Sequence, residues 1–198
     1  ASSGVSALDD LSDAMTNGGG NPGKSVGIGF GALVNENGAS RGSVALGYKA
    51  LNAHTSQIGN IGIGAYGLSQ SANSSSHGNI AIGHYSMRMH TGSYGGNIAI
   101  GYQSLYGQTN AGGNTVVGRY GMMCNLTGGF NTAMGSGNLR YNTTGCSNTA
   151  IGYESMQSNT IGKCNSALGY RPLYNNTTGE GNTAVGIESL YTNTTGKW

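Results

Sequence analysis

Apolar and polar positions along this chain recur with a fixed period. Setting the first Asn or Ser of each copy as position 1, copies begin at Ser25, Ser43, Asn60, Asn79, Asn97, Asn114, Asn131, Asn148, Asn165 and Asn182. Successive starts lie seventeen to nineteen residues apart, and the last five copies hold a strict seventeen. Position 4 is always a sizeable apolar residue, including Ile28, Leu46, Ile63, Ile82, Ile100, Ile151 and Leu168. Position 9 is Leu or Met, including Leu33, Leu51, Leu68, Leu105, Leu173 and Leu190. Position 5 is Gly in all ten copies: Gly29, Gly47, Gly64, Gly83, Gly101, Gly118, Gly135, Gly152, Gly169 and Gly186. Positions 2 and 4 carry bulk, while 3 and 5 stay small. This is the period of two expected of a strand.

A short internal period marks a repeat architecture. Seventeen residues are too few for a helix pair or a propeller blade. They suit one coil of an all-β, parallel β-solenoid or β-roll, each coil lying on the last at about 4.8 Å. Ten coils make a rod on the order of 43 Å long. The residues at positions 4 and 9 named above are the expected core. The position 5 glycines are expected to allow close approach of another backbone. From Asn125 onward position 12 is Asn, with Gly three residues later, which reads as a corner adopting positive φ. So few core side chains per coil argue for added burial from partner chains. A homo-oligomer is expected, packing on the small positions 3 and 5.

Two regions divide the chain: residues 1–24, an attachment segment or linker holding Asp9, Asp10 and Asp13, and the repeat domain 25–198. Insertions near Ser40, Ser75 and Tyr94 fall in the corner after position 9, where solenoids carry binding loops. The last repeat reaches Trp198 with no capping segment, so the natural protein is expected either to continue or to dock its end onto another subunit.

Composition narrows the function. Of 198 residues 38 are Gly, 8% are charged and the net charge is +2, so no basic field for nucleic acid is expected. No apolar run is long enough to span a membrane. No cofactor, metal or catalytic group is expected. His54, His77, His84 and His90 read as surface or corner residues, and Glu154 and Glu188 stand too far apart to share a substrate. Cys146 and Cys164 fall on adjacent coils within disulfide reach, but packed free thiols are the better reading of the three cysteines. Asn-Thr-Thr at Asn142, Asn176 and Asn193 matches a glycosylation pattern, read here as a structural corner. Tyrosines hold positions 6 and 10. Those positions also accept Arg and Gln, so Tyr102, Tyr106, Tyr153, Tyr170, Tyr174 and Tyr191 are candidate receptor contacts, for a cell-surface glycan or protein. Stacking from coil to coil is the competing role. Threonine rows at positions 13 and 14 raise an ice-binding surface as a weaker option.

Ser25–Gly29 (SVGIG) and Ser43–Gly47 (SVALG) resemble the SVAIG repeat of trimeric autotransporter adhesin heads. Asn148–Leu173 (NTAIGYESMQSNTIGKCNSALGYRPL) is similar to repeats of bacteriophage tail fibres, and Leu8–Ala14 (LDDLSDA) resembles a segment preceding them. The resemblance implies a three-chain β-roll. It also implies a non-enzymatic virion fibre for host attachment, partnered by itself and by neighbouring fibre or virion proteins. The alternative is a bacterial extracellular filament or adhesin subunit, in which residues 1–24 dock on the end of the next molecule.

Overall fold

A computed structural model describes residues 14–16, 25–35, 42–71 and 75–197. The rest of the 1–24 segment and the insertion around Ser40 lie outside the described residues. The chain forms eleven strands in one sheet, arranged in sequence order. They are β1 (Ala14–Thr16), β2 (Val26–Ile28), β3 (Val44–Leu46), β4 (Ile61–Ile63), β5 (Ile80–Ile82), β6 (Ile98–Ile100), β7 (Thr115–Val117), β8 (Thr132–Met134), β9 (Thr149–Tyr153), β10 (Ser166–Tyr170) and β11 (Thr183–Val185). β2 to β11 are parallel, and equivalent repeat positions face each other: Val44 pairs with Ile61, and Ala150 with Ala167. The fold is an all-β solenoid with a repeat of about 17 residues. β1 runs antiparallel along β2, closing the edge of the first coil.

The core differs from expectation at position 4. Inside the coil lie position 3 (Ala45, Ala81, Ala99, Val116, Ala133, Ala150), position 9 (Leu33, Leu51, Leu68, Leu105, Leu173) and the asparagines of positions 1 and 12, all buried except the half-buried Asn193. Ile28, Leu46, Ile63, Ile82, Ile100, Ile151 and Leu168 instead stand on the outer face of the sheet, half-buried by one another or exposed, Leu168 at 48%. The reason is width. Strands are three to five residues long and the return limb passes so close that only Gly, Ala or Val fits inward at position 3. The pleat then sends positions 2 and 4 outward. A partner would therefore meet the bulky face, not the small one. Leu190, in the coil of β11, is 47% exposed.

Glycine at position 5 serves the close approach expected of it, and the approaching backbone is the next coil of the same chain. Gly29 has φ +118°, and a Cβ there would sit 2.9 Å from the Gly47 carbonyl carbon; at Gly135 it would run into the Gly152 carbonyl oxygen. Positions 7 and 9 also take positive φ with ordinary side chains, for example Gln103 at 51° and Leu105 at 49°. Such residues are strained by about 1 kcal/mol each. The stack holds them in place: Leu51 N–H donates to Gly67 O at 3.0 Å and Met87 N–H to Ser104 O at 2.9 Å.

Two asparagine ladders run up the interior. Asn131 Oδ1 accepts from both the backbone N–H of Asn148 (2.9 Å) and its Nδ2 (3.1 Å), while Asn148 Nδ2 also donates to Gly162 O (2.8 Å). The same bonds repeat through Asn165 and Asn182. At position 12, Asn159 Nδ2 donates to Asn142 Oδ1 at 2.7 Å and to Gly162 O at 3.1 Å. No asparagine among the described residues has positive φ, so position 12 is Asn for its side-chain ladder and not for its backbone. The narrow interior is thus satisfied by stacked amides, as in cross-β assemblies.

Candidate functional site: a tyrosine and cation stripe

The backbone turns at the position 5 glycine, and the next five residues form a second outer surface. Its side chains come from positions 6, 7 and 10 and fall into register because the coils do. Phe30 stacks on Tyr48 (centroids 5.8 Å apart), Tyr48 meets Tyr66 (5.3 Å), and Tyr66 stacks on Tyr85 (5.2 Å). Beside them His84, Tyr102 and Tyr120 follow, with Tyr102 and Tyr120 5.5 Å apart. Further along, Tyr153 stacks on Tyr170 (5.3 Å) and Tyr174 on Tyr191 (5.1 Å). The coil between these clusters carries Ser136 and Gly137 and breaks the aromatic row.

Cations lie over the rings. Arg88 sits 5.0 Å from the Tyr66 centroid and 4.9 Å from Tyr85. Arg119 lies 4.5 Å from Tyr120, and Arg140 lies 4.8 Å from the same ring. Lys49 is 5.3 Å from Tyr48, and Arg171 bridges Tyr170 (5.1 Å) and Tyr174 (5.4 Å). Hydroxyls join in: Arg88 Nη1 donates to Tyr106 Oη at 3.4 Å, and Arg119 Nη2 to Tyr120 Oη at 3.1 Å. The bond to Tyr120 raises the Arg119 pKa, so that side chain stays charged. Arg171 Nε donates to Glu154 Oε2 at 2.7 Å. The Glu154 hydrogen bond and charge push the Tyr153 hydroxyl pKa up, and burial does so first at Tyr174. Those phenols stay neutral donors at ordinary pH.

The six tyrosines read from the sequence therefore divide. Tyr153, Tyr170, Tyr174 and Tyr191 share one cluster around Arg171, whereas Tyr102 and Tyr106 belong to the earlier one. Coil-to-coil stacking and partial exposure occur together, with Tyr102, Tyr153 and Tyr170 near 40% exposed. Sequence reasoning missed Tyr66, Tyr85 and Tyr120 at position 7, and the cations that cover them. The signal was present: position 7 is Tyr in three of four successive coils, and Arg119 directly precedes Tyr120.

Other candidates resolve differently. Of the surface and corner placements read from the sequence, His54 and His90 take the corner, at position 12, where both are buried. Asn60 Nδ2 lies 3.2 Å from His54 Nε2, and Ser76 Oγ lies 2.8 Å from His90 Nε2. Burial lowers both pKa values to about 4, with His77 adding a charge effect at His54. Asn142 and Asn176 are buried and donate within the ladder, so neither presents its amide for glycosylation. Thr143, Thr160 and Thr177 donate their hydroxyls to carbonyls one coil on, which ties that row into the stack. Cys124, Cys146 and Cys164 are free thiols. An open notch of about 400 Å³ lies between Tyr94 and Phe130, floored by Ala111 and Cys146.

No family model, no curated protein and no solved structure matches this chain.

Proposed function

We propose that this chain is a structural, non-enzymatic segment of a homo-oligomeric fibre, and that the fibre is a bacteriophage tail fibre or other virion-borne host-attachment fibre. The observation that carries this reading is the bare outer face of the sheet. Ten parallel strands present positions 2 and 4 side by side, from Val26 and Ile28 to Thr183 and Val185, as one continuous strip. Every one of these side chains is half-buried or exposed. Position 4 is apolar throughout, whereas position 2 is Val or Ile in β2 to β6 and Thr or Ser in β7 to β11, so the strip is fully apolar over its first half; an apolar face of this kind marks an association surface. It is flat and regular, so copies of the same chain fit it through the same residues. The number three comes from the resemblance of the SVGIG and SVALG motifs to trimeric adhesin heads.

The alternative is a bacterial filament grown by docking residues 1–24 onto the next molecule. It is less favoured because β1 pairs with its own β2. Side-by-side assembly leaves that pairing undisturbed. An antibody to the repeat domain, imaged by electron microscopy on particles from the source, tests the proposal. Labelling of fibres on virions is expected. Labelling confined to cell-surface filaments would replace this reading with the alternative.

A further inference from the structure

We propose that the tyrosine and cation stripe binds a linear anionic polysaccharide carrying one carboxylate per disaccharide, laid along the rod axis. This deepens the reading of the rod as an attachment module and rests on it.

The charge pattern carries the argument. Lys49, Arg88 and Arg119 belong to the second, fourth and sixth coils, and each lies over a position 7 ring: Lys49 and Arg88 on Tyr66, Arg119 on Tyr120. Two coils are about 10 Å. Arg140, in the seventh coil, also lies over Tyr120. Among the described residues only Arg171 and Lys197 form ion pairs, so these four cations have no carboxylate partner. Their contact with tyrosine rings holds the three guanidinium planes and the Lys49 ammonium in place without neutralising them, leaving N–H groups to form charge-assisted bonds with an anion. Tyr106 and Tyr120 accept from arginine through their hydroxyl oxygens, so each keeps an O–H to donate.

That spacing selects the polymer. A chain with a uronate in every second sugar repeats its charge at two pyranose lengths, close to the two-coil interval. Nucleic acid is far denser, with a phosphate about every 3.4 Å along each duplex strand. A stripe of four cations, three of them set two coils apart, would leave most of those charges unmatched. The ring faces are largely occupied by stacking within the row, so tyrosine edges and hydroxyls, rather than exposed ring faces, would line the sugar chain.

The test uses the full chain in its native assembly with hyaluronan oligosaccharides as the probe, read by calorimetry at low and moderate salt. Neutral dextran and single-stranded DNA are run in parallel. Saturable hyaluronan binding is expected, weakened by salt. In Arg88→Gln/Arg119→Gln it should be about tenfold weaker or more, with unchanged circular dichroism and sedimentation. A Thr178→Gln variant, off the stripe, should bind as the parent does. Absence of hyaluronan binding by a correctly assembled rod would overturn the inference while leaving the fibre reading standing. Equal binding by the double variant, or DNA binding at least as tight, would overturn it too. Failure of the chain to assemble at all would count against the fibre reading instead.

Discussion

At the scale of single residues, the coil is governed by how closely one backbone lies on the next. Val116 is the only bulky residue at position 3 that points inward, and the coil answers with Gly121: a Cβ there would stand 2.5 Å from Val116 Cγ1. Gly121→Ala should therefore destabilise by about 2 kcal/mol through overpacking, and adding Val116→Ala should recover most of the loss in a denaturation cycle. Gly135 and Gly186 make a second contrast. Both have positive φ, but a Cβ on Gly135 runs into the Gly152 carbonyl, whereas at Gly186 it meets nothing. Gly186→Ala should lose about 1 kcal/mol from φ alone, and Gly135→Ala clearly more, by urea midpoint.

The buried histidines give a residue-level pH dependence. His54 and His90 have folded pKa values of about 4 against an ordinary 6.5. The unfolded chain thus binds these protons first. Their contribution is full above about pH 6.5, falls as pH drops toward 4, and is lost below that, on the order of 3 kcal/mol each. Thermal melts across this range should show the loss, and His54→Gln/His90→Gln, using the amide found at Gln108, should flatten it. A parent profile as flat as the variant's would contradict the burial.

At the scale of the element, each coil is a unit that contacts its neighbours, and stability is a sum of coil and interface contributions. Deleting residues 131–147 joins Phe130 to Asn148 with every position still in register. That variant should keep its circular dichroism spectrum and melt close to the parent. Deleting only residues 131–139 leaves half a coil and should give a grossly destabilised chain. This element was the most legible part of the sequence, because the Gly at position 5 and the Leu or Met at position 9 recur without exception. Which face was inside was not legible. Alternation separates two faces but does not orient them, and Ile63 or Ile82 looks like core until the return limb is seen to leave room only for Gly62 or Ala81. Positive φ at Leu105 or Met122 also left no trace, since those residues ordinarily avoid it and only the stack imposes it. The asparagine column was visible, but its amide ladder depends on exact stacking that spacing alone does not supply. The aromatic site was half legible. Tyr153 and Tyr170 stood out at position 6, while Tyr66 and Tyr120 were hidden one position along.

At the scale of the whole molecule, the sheet turns its bulky face outward, and the proposed fibre would cover that face with other copies. Ile80 and Ile98 lie side by side on that face, in register between β5 and β6. Sedimentation of the purified chain measures the claim most directly. A 20.0 kDa chain should sediment as an elongated species of three chains, 3 × 20.0 = 60 kDa, and Ile80→Asp/Ile98→Asp should dissociate it to folded or partly folded single chains. A stable, monodisperse 20.0 kDa monomer of the parent, with a cooperative melt, would contradict it.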